Sequence, residues 1–307
     1  MPLPFILGAA AIAAVGTGAK KAYDGYQDSS KADDITDGAK CFYKEQKDYF
    51  DKQDSATNAS LDKLGKLQLS IGRDFAEFQH ISKPLLEKLA QHQETKNLQI
   101  NIPKNELDKI EGVTFSATAY LGMVAGSAMV GVGATILGGV IAAPIALVAG
   151  LAFANHAEKK LEGAKDYQER VRKAVDKIRL ARHHLKDTED YANKIYKELD
   201  RVYHIFGRYF QDLKNIDTLV RNGIDIQVIA PALIKIIENG FTVAAILTDI
   251  ITTPLFKAKK DANGELIKDK TDTIEFETDS DGMKIINKEE IDAHITLSTY
   301  NSKSFEA

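Results

Sequence analysis

Between Val113 and Ala154 the chain runs for 42 residues, VTFSATAYLGMVAGSAMVGVGATILGGVIAAPIALVAGLAFA, without an Asp, Glu, Lys or Arg. One bilayer-spanning helix needs about 20 such residues, so the run has the length of two spans. Steps of four from Thr118 give Thr118, Gly122, Gly126, Val130, Ala134, Gly138, Ala142, Ala146, Gly150 and Ala154, a row of small residues interrupted by Val130. On a helix that row is a groove, and small residues at this spacing let two backbones approach closely in lipid. Gly122, Gly126, Ala134, Gly138, Ala142, Ala146 and Gly150 are therefore the candidate membrane and helix-packing residues. Gly138-Gly139 supplies a hinge, and Pro144 follows within two turns, where its missing donor costs least. The expectation is a helical hairpin, inserted in a bilayer. The same periodicity also fits a hairpin buried in a soluble bundle, although so glycine-rich a stretch fills a soluble core poorly.

The net charge of -4 gives no electrostatic footprint for nucleic acid, so none is expected as a partner. Cys41 is the single cysteine, which excludes an intrachain disulfide and points to a cytoplasmic origin. The segment from Met1 to Ala19 is also free of charged side chains, with Ala10, Ala14 and Gly18 as a second small-residue row. Its positive charges, Lys20 and Lys21, follow the apolar stretch rather than precede it, so an uncleaved short span or interfacial anchor is expected instead of a signal peptide. A terminal helix packed on a bundle fits equally.

From Lys20 to Gln93 the sequence is polar and helix-compatible, with Ile35, Ala39, Phe42, Tyr49, Ala56, Leu64, Leu67, Ile71, Phe75 and Phe78 at heptad-like places. Gln46, Gln53 and Ser60 occupy seam positions, which predicts a loosely packed long helix. After the apolar run, two interleaved seven-residue series appear. One is Val171, Ile178, Leu185, Ala192, Leu199, Phe206, Leu213 and Val220; the other is Tyr167, Ala174, Ala181, Thr188, Ile195, Val202, Tyr209 and Ile216. They define a heptad seam and demand a partner helix, most simply the Lys20–Gln93 helix running antiparallel. Asn222-Gly223 ends this helix. Two apolar helical pieces are then expected, broken near Asn239-Gly240 and closed by Thr253-Pro254, with Lys235, Glu238 and Asp249 favouring an amphipathic core or interfacial role over a span.

The fold class expected is all-α: an elongated antiparallel bundle or coiled coil of long helices, a central Gly/Ala-rich hairpin, and a small irregular or β tail. Its divisions are an anchor over 1–21, a long helix and connector over 22–112, the hairpin over 113–155, the heptad helix and C-terminal helices over 156–256, and a charged, loosely ordered tail over 257–307. In the tail, Asn263-Gly264 marks a hairpin turn and Thr271–Thr278 a strand.

No phosphate-binding loop is present, so nucleotide hydrolysis is not expected. Glu277, Asp279, Asp281 and Gly282 imitate the start of a calcium loop, but Lys288 stands where its bidentate Glu belongs, which makes the segment a solvated turn. His183 and His184 are adjacent on a charged helix, about 100° apart, and cannot chelate one metal as an i, i+4 pair would. They read as a surface face. No catalytic residue, cofactor or metal ligand is expected, and the protein is read as non-enzymatic.

Three stretches, LPFILGAAAIAAVGTGAKKAYDGY, the Gly/Ala run followed by its long charged helix, and ILTDIITTPLFKAKKDANGEL, resemble a broad group of bacterial proteins carrying labels such as chemotaxis protein or glycine-zipper protein. The plan is also similar to α-helical pore-forming toxins of the haemolysin E type, which hold an apolar hairpin at the head of a helical bundle. The resemblance implies a bacterial protein at the inner membrane or in the cytoplasm that inserts its hairpin, as accessory subunit or effector of a membrane-remodelling or defence system. The alternatives are a pore-forming toxin component and a soluble coiled-coil scaffold. Partners expected are the lipid bilayer, further copies of the chain and a protein such as a dynamin-like GTPase.

Overall fold

The computed structural model describes residues 16–91, 157–267 and 274–306. The expected hairpin over 113–155, its row from Gly122 to Gly150, and the anchor segment before Gly16 lie outside the described residues. The architecture is all-α. Among the described residues four helices, α1 (Gly16–Gln91), α2 (Ala157–Arg221), α3 (Ile226–Thr252) and α4 (Lys288–Ser302), are followed by a 3-10 turn at Lys303–Phe305. A set of antiparallel β-bridges lies between α3 and α4. The described residues belong to two compact units, 16–52 with 157–182 and 53–91 with 183–306.

The heptad series behave as their spacing requires. All sixteen positions are buried except Ala174, Tyr209 and Val220, which are half-buried. The direction of pairing, however, is parallel. In the first unit Lys160 Nζ reaches Ser29 Oγ at 3.1 Å and Asp33 at 2.9 Å, while Arg179 Nε donates to Gln46 Oε1 at 3.2 Å. Ala39, Tyr167, Val171 and Val175 form the small core between these contacts. In the second unit Thr57 donates toward the Leu185 carbonyl, Tyr203 donates to Asp74, and Lys214 pairs with Glu77 at 3.1 Å. Partner numbers rise together in both, so the expected antiparallel pair is corrected. A heptad seam has the same spacing whichever way its partner runs, and direction is set by the connection. Here 65 residues separate Gln91 from Ala157, not the short loop that joins antiparallel neighbours. The polar seam positions serve as cross-helix links: besides Gln46, the Gln53 amide donates to Glu189 at 2.8 Å.

In the second unit α2 ends in a Schellman turn. Gly223 has φ 92°, its N–H donates to the Val220 carbonyl, and the Ile224 N–H donates to Leu219. Asp225 then caps α3 by accepting from the Gln227 N–H at 3.0 Å. α3 is one continuous helix rather than the two pieces expected, because Gly240 is a seat and not a breaker: the Phe78 ring lies against it. Phe75, Phe78, Phe206, Phe210 and Phe241 form the centre of the core, with ring centroids 5.0 to 6.1 Å apart. Each buried ring contributes about 1.5–3 kcal/mol by leaving water, and edge-to-face pairs add roughly 0.5–1.5 kcal/mol.

The tail is more ordered than its charge density suggests. Lys257 N donates to Ile285 O, Ile285 N to Glu277 O, and Glu277 N to Lys257 O, closing a three-way ring of backbone bonds. Lys259, Glu275 and Ile267 close a second ring in the same sense. Two turns of one design feed these rings. Asp261 accepts from the Asn263 and Glu265 N–H groups with Gly264 at φ 86°, and Asp279 accepts from the Asp281 and Met283 N–H groups with Gly282 at φ 81°.

Helix α4, absent from the sequence expectation, lies parallel to α2. Lys288 pairs with Asp187, Asp292 with Lys194, and Ser298 with Glu198. The Arg208 guanidinium donates to the Phe305 carbonyl, tying down the 3-10 turn.

Candidate functional site

The rings of the tail, the start of α4 and the middle of α2 enclose a cleft of 390 Å³, lined by His184, Asp187, Lys257, Asp279, Lys284, Ile285, Ile286, Lys288 and Glu289. Two phenyl rings adjoin its His184 and Lys284. His184 stacks on Phe256 at 6.5 Å and 27°, and Phe276 meets Phe256 edge-on at 6.0 Å. Lys284 lies over both phenyl rings, its Nζ 4.7 Å from the Phe276 centroid and 5.7 Å from that of Phe256.

The charges are unequally answered. Lys288 pairs with Asp187 at 2.7 Å, and Lys257 faces Glu289 at 3.9 Å. Asp279 has one oxygen taken by two backbone N–H groups. Among the described residues Lys284 has ring faces and no carboxylate. Burial pushes its ammonium below the ordinary lysine pKa. His184 Nε2 is shielded from solvent and lacks a hydrogen-bond partner. Burial lowers the His184 pKa; Asp279 and Asp187 oppose this, while Lys288 and His183 add to it.

A second groove, of 570 Å³, runs between α2 and α4 along Asp190, Asn193, Lys194, Lys197, Glu198, Arg201 and Ile295. Glu198 is buried and accepts from Arg201 at 2.6 Å, Ser298 at 2.7 Å and Thr299 at 3.3 Å. Burial acts to raise its pKa, but the bonds from Arg201 and Ser298 outweigh it and hold the carboxyl below its ordinary value. This network fastens α4.

Every small-residue position singled out in the sequence, Gly122, Gly126, Ala134, Gly138, Ala142, Ala146 and Gly150, lies outside the described residues. The two histidines part company: His183 is exposed, whereas His184 belongs to the cleft wall and not to a surface face. Asp279 is spent on its own turn, and among the described residues no group of three or more His, Cys, Asp or Glu side chains is placed to hold a metal ion. Cys41 is exposed on α1. One described helix, α3, is long and apolar enough to cross a bilayer, with a mean hydropathy of 1.5 over its best stretch. Its Leu233, Ile237, Phe241, Ala244, Leu247 and Ile250 are buried in the core. The cleft is not legible in the sequence, because Phe256, Phe276 and Lys284 come together beside His184 only when the backbone rings close.

No family model, curated protein or solved structure matches the chain.

Proposed function

We propose that this is a non-enzymatic, membrane-associated helical protein that inserts the uncharged run from Val113 to Ala154 as a Gly/Ala hairpin, with further copies of the chain as packing partners. The observation that carries this reading is the register of Lys160 on Ser29 and Asp33. It brings the starts of α1 and α2 to one end of the first unit, within about four helical turns of each other. Both charge-free stretches, Met1–Ala19 and Val113–Ala154, lead directly into those starts. Lys20-Lys21 follows the first stretch at once, and Lys159-Lys160 follows the second after Asn155, His156, Ala157 and Glu158. An apolar segment flanked by lysine suits a bilayer boundary. Helix α3 is the weaker candidate for insertion, since withdrawing it would uncover Phe78 and the core residues around it.

The test is Val124→Lys with Leu147→Lys, one near the middle of each arm on either side of Gly138-Gly139. Each lysine costs about 2.5–3.5 kcal/mol at the centre of a spanning helix. The double variant should lose flotation with liposomes while its thermal unfolding, followed by helical circular dichroism, stays that of the parent. Flotation equal to the parent would overturn the reading.

A further inference from the structure

The cleft beside His184 lies in the second unit and its argument is independent of membrane insertion. We propose that it is an anion site, which takes a phosphate group carried by a small molecule or by a lipid headgroup, with Lys284 as the principal contact.

Three lysines and three carboxylates line the cleft, so net charge does not choose the ligand; the accounting of partners does. Asp187 is matched by Lys288, and Asp279 by the Asp281 and Met283 N–H groups. Glu289 lies almost wholly in water opposite Lys257. The unanswered group is a nitrogen: the Lys284 ammonium, held on the Phe256 and Phe276 rings and, among the described residues, without a carboxylate. A half-buried ammonium that meets π-faces alone has exchanged water for weaker contacts, and an anion restores the counter-charge through a bond stronger than a neutral one. Lys257 and Lys288 stand at the same cleft, where a ligand with more than one anionic oxygen can draw on them. At 390 Å³ the cleft falls in the range of small-molecule sites, larger than a bare ion requires. Phosphate is preferred to a cation because each carboxylate at the wall meets a donor, Asp187 at Lys288, Glu289 at Lys257 and one Asp279 oxygen at two N–H groups, whereas Lys284 meets ring faces.

The experiment titrates the full chain calorimetrically with inorganic phosphate and with glycerol 3-phosphate. The parent should bind saturably. Lys284→Met, which keeps the apolar contact with the two rings, should bind about tenfold more weakly or worse, whereas Lys284→Arg and the remote Lys177→Met should stay near the parent. Circular dichroism establishes that the variants are folded. Sedimentation with phosphatidylcholine vesicles, with and without phosphatidic acid, separates the sources: phosphatidic-acid dependence lost in Lys284→Met assigns the headgroup, and dependence that is absent or unchanged, alongside Lys284-dependent phosphate binding, assigns a soluble phosphate compound. No saturable binding by the parent, or equal binding by the parent and Lys284→Met, would overturn the proposal.

Discussion

The Phe78 ring fills the space in which a side chain at Gly240 would begin: a Cβ there would overlap Phe78 Cζ and Cε2. The ring cannot easily withdraw, because Phe206, Phe210 and Phe241 hold it on three sides. On helix propensity alone Gly240→Ala gains about 1 kcal/mol. Overpacking should reverse that sign, giving a net loss of about 1–3 kcal/mol in urea unfolding. Adding Phe78→Leu should make the alanine much better tolerated. An alanine variant as stable as the parent would show that α3 does not sit on Phe78.

Parallel pairing in the first unit is testable by cross-linking in a Cys41→Ser background. A cysteine at Ser29 should join one at Lys160 through a short bismaleimide, since the parent side chains touch. It should not join one at Arg179, whose partner Gln46 lies 17 residues further along α1, about 25 Å away. Antiparallel helices would exchange the two results.

These two features mark where the sequence was and was not informative. The α2 seam was readable because burial repeats every three and four residues, and the Asn222-Gly223 stop because a left-handed residue there calls for glycine. Direction was not readable, since periodicity carries no sense of it. Gly240 misled because its cause, Phe78, stands 162 positions earlier in the chain. Helix α4 escaped because it buries few apolar residues, Ile291 chief among them, and is held by Ser298, Thr299 and Ser302 on Glu198 and Arg201. The cleft depends on the paired Asp261 and Asp279 turns, whose shared Asp-x-x-Gly-x-x-Ile pattern becomes meaningful only when the backbone rings close.

Acid should loosen the cleft. The His184 pKa is lowered by burial, so its stabilising contribution is complete above the unfolded value of about 6.5 and is lost as pH falls below it, when the unfolded chain takes up the proton first. The facing charges are Asp187 and His183 on α2, Asp279 and Lys284 in the bridged tail, and Lys288 on α4. His184→Phe, which preserves stacking on Phe256, should reduce the fall in urea midpoint between about pH 7.5 and pH 5. An identical fall in both proteins would remove His184 as its source.

Glu198 acts in the opposite sense. Its pKa is depressed, so its contribution is full above the unfolded carboxyl value of about 4.3 and disappears as pH falls through the lower folded value. At neutral pH, Ser298→Ala should cost about 1–3 kcal/mol by leaving the buried carboxylate one donor short. Faster amide exchange should accompany it in α4. Unchanged protection of Ile291–Ser302 would show that the helix is held by other contacts.

The central claim is that the run from Val113 to Ala154 places this protein in a membrane. Alkaline carbonate extraction of membranes from cells expressing the full chain measures this directly, because it strips proteins held by charge or by soluble partners and leaves inserted ones. The account predicts that the parent remains in the pellet and that Val124→Lys with Leu147→Lys moves to the supernatant as a folded protein. Complete release of the parent by carbonate, with the protein recovered folded and without detergent, would contradict it.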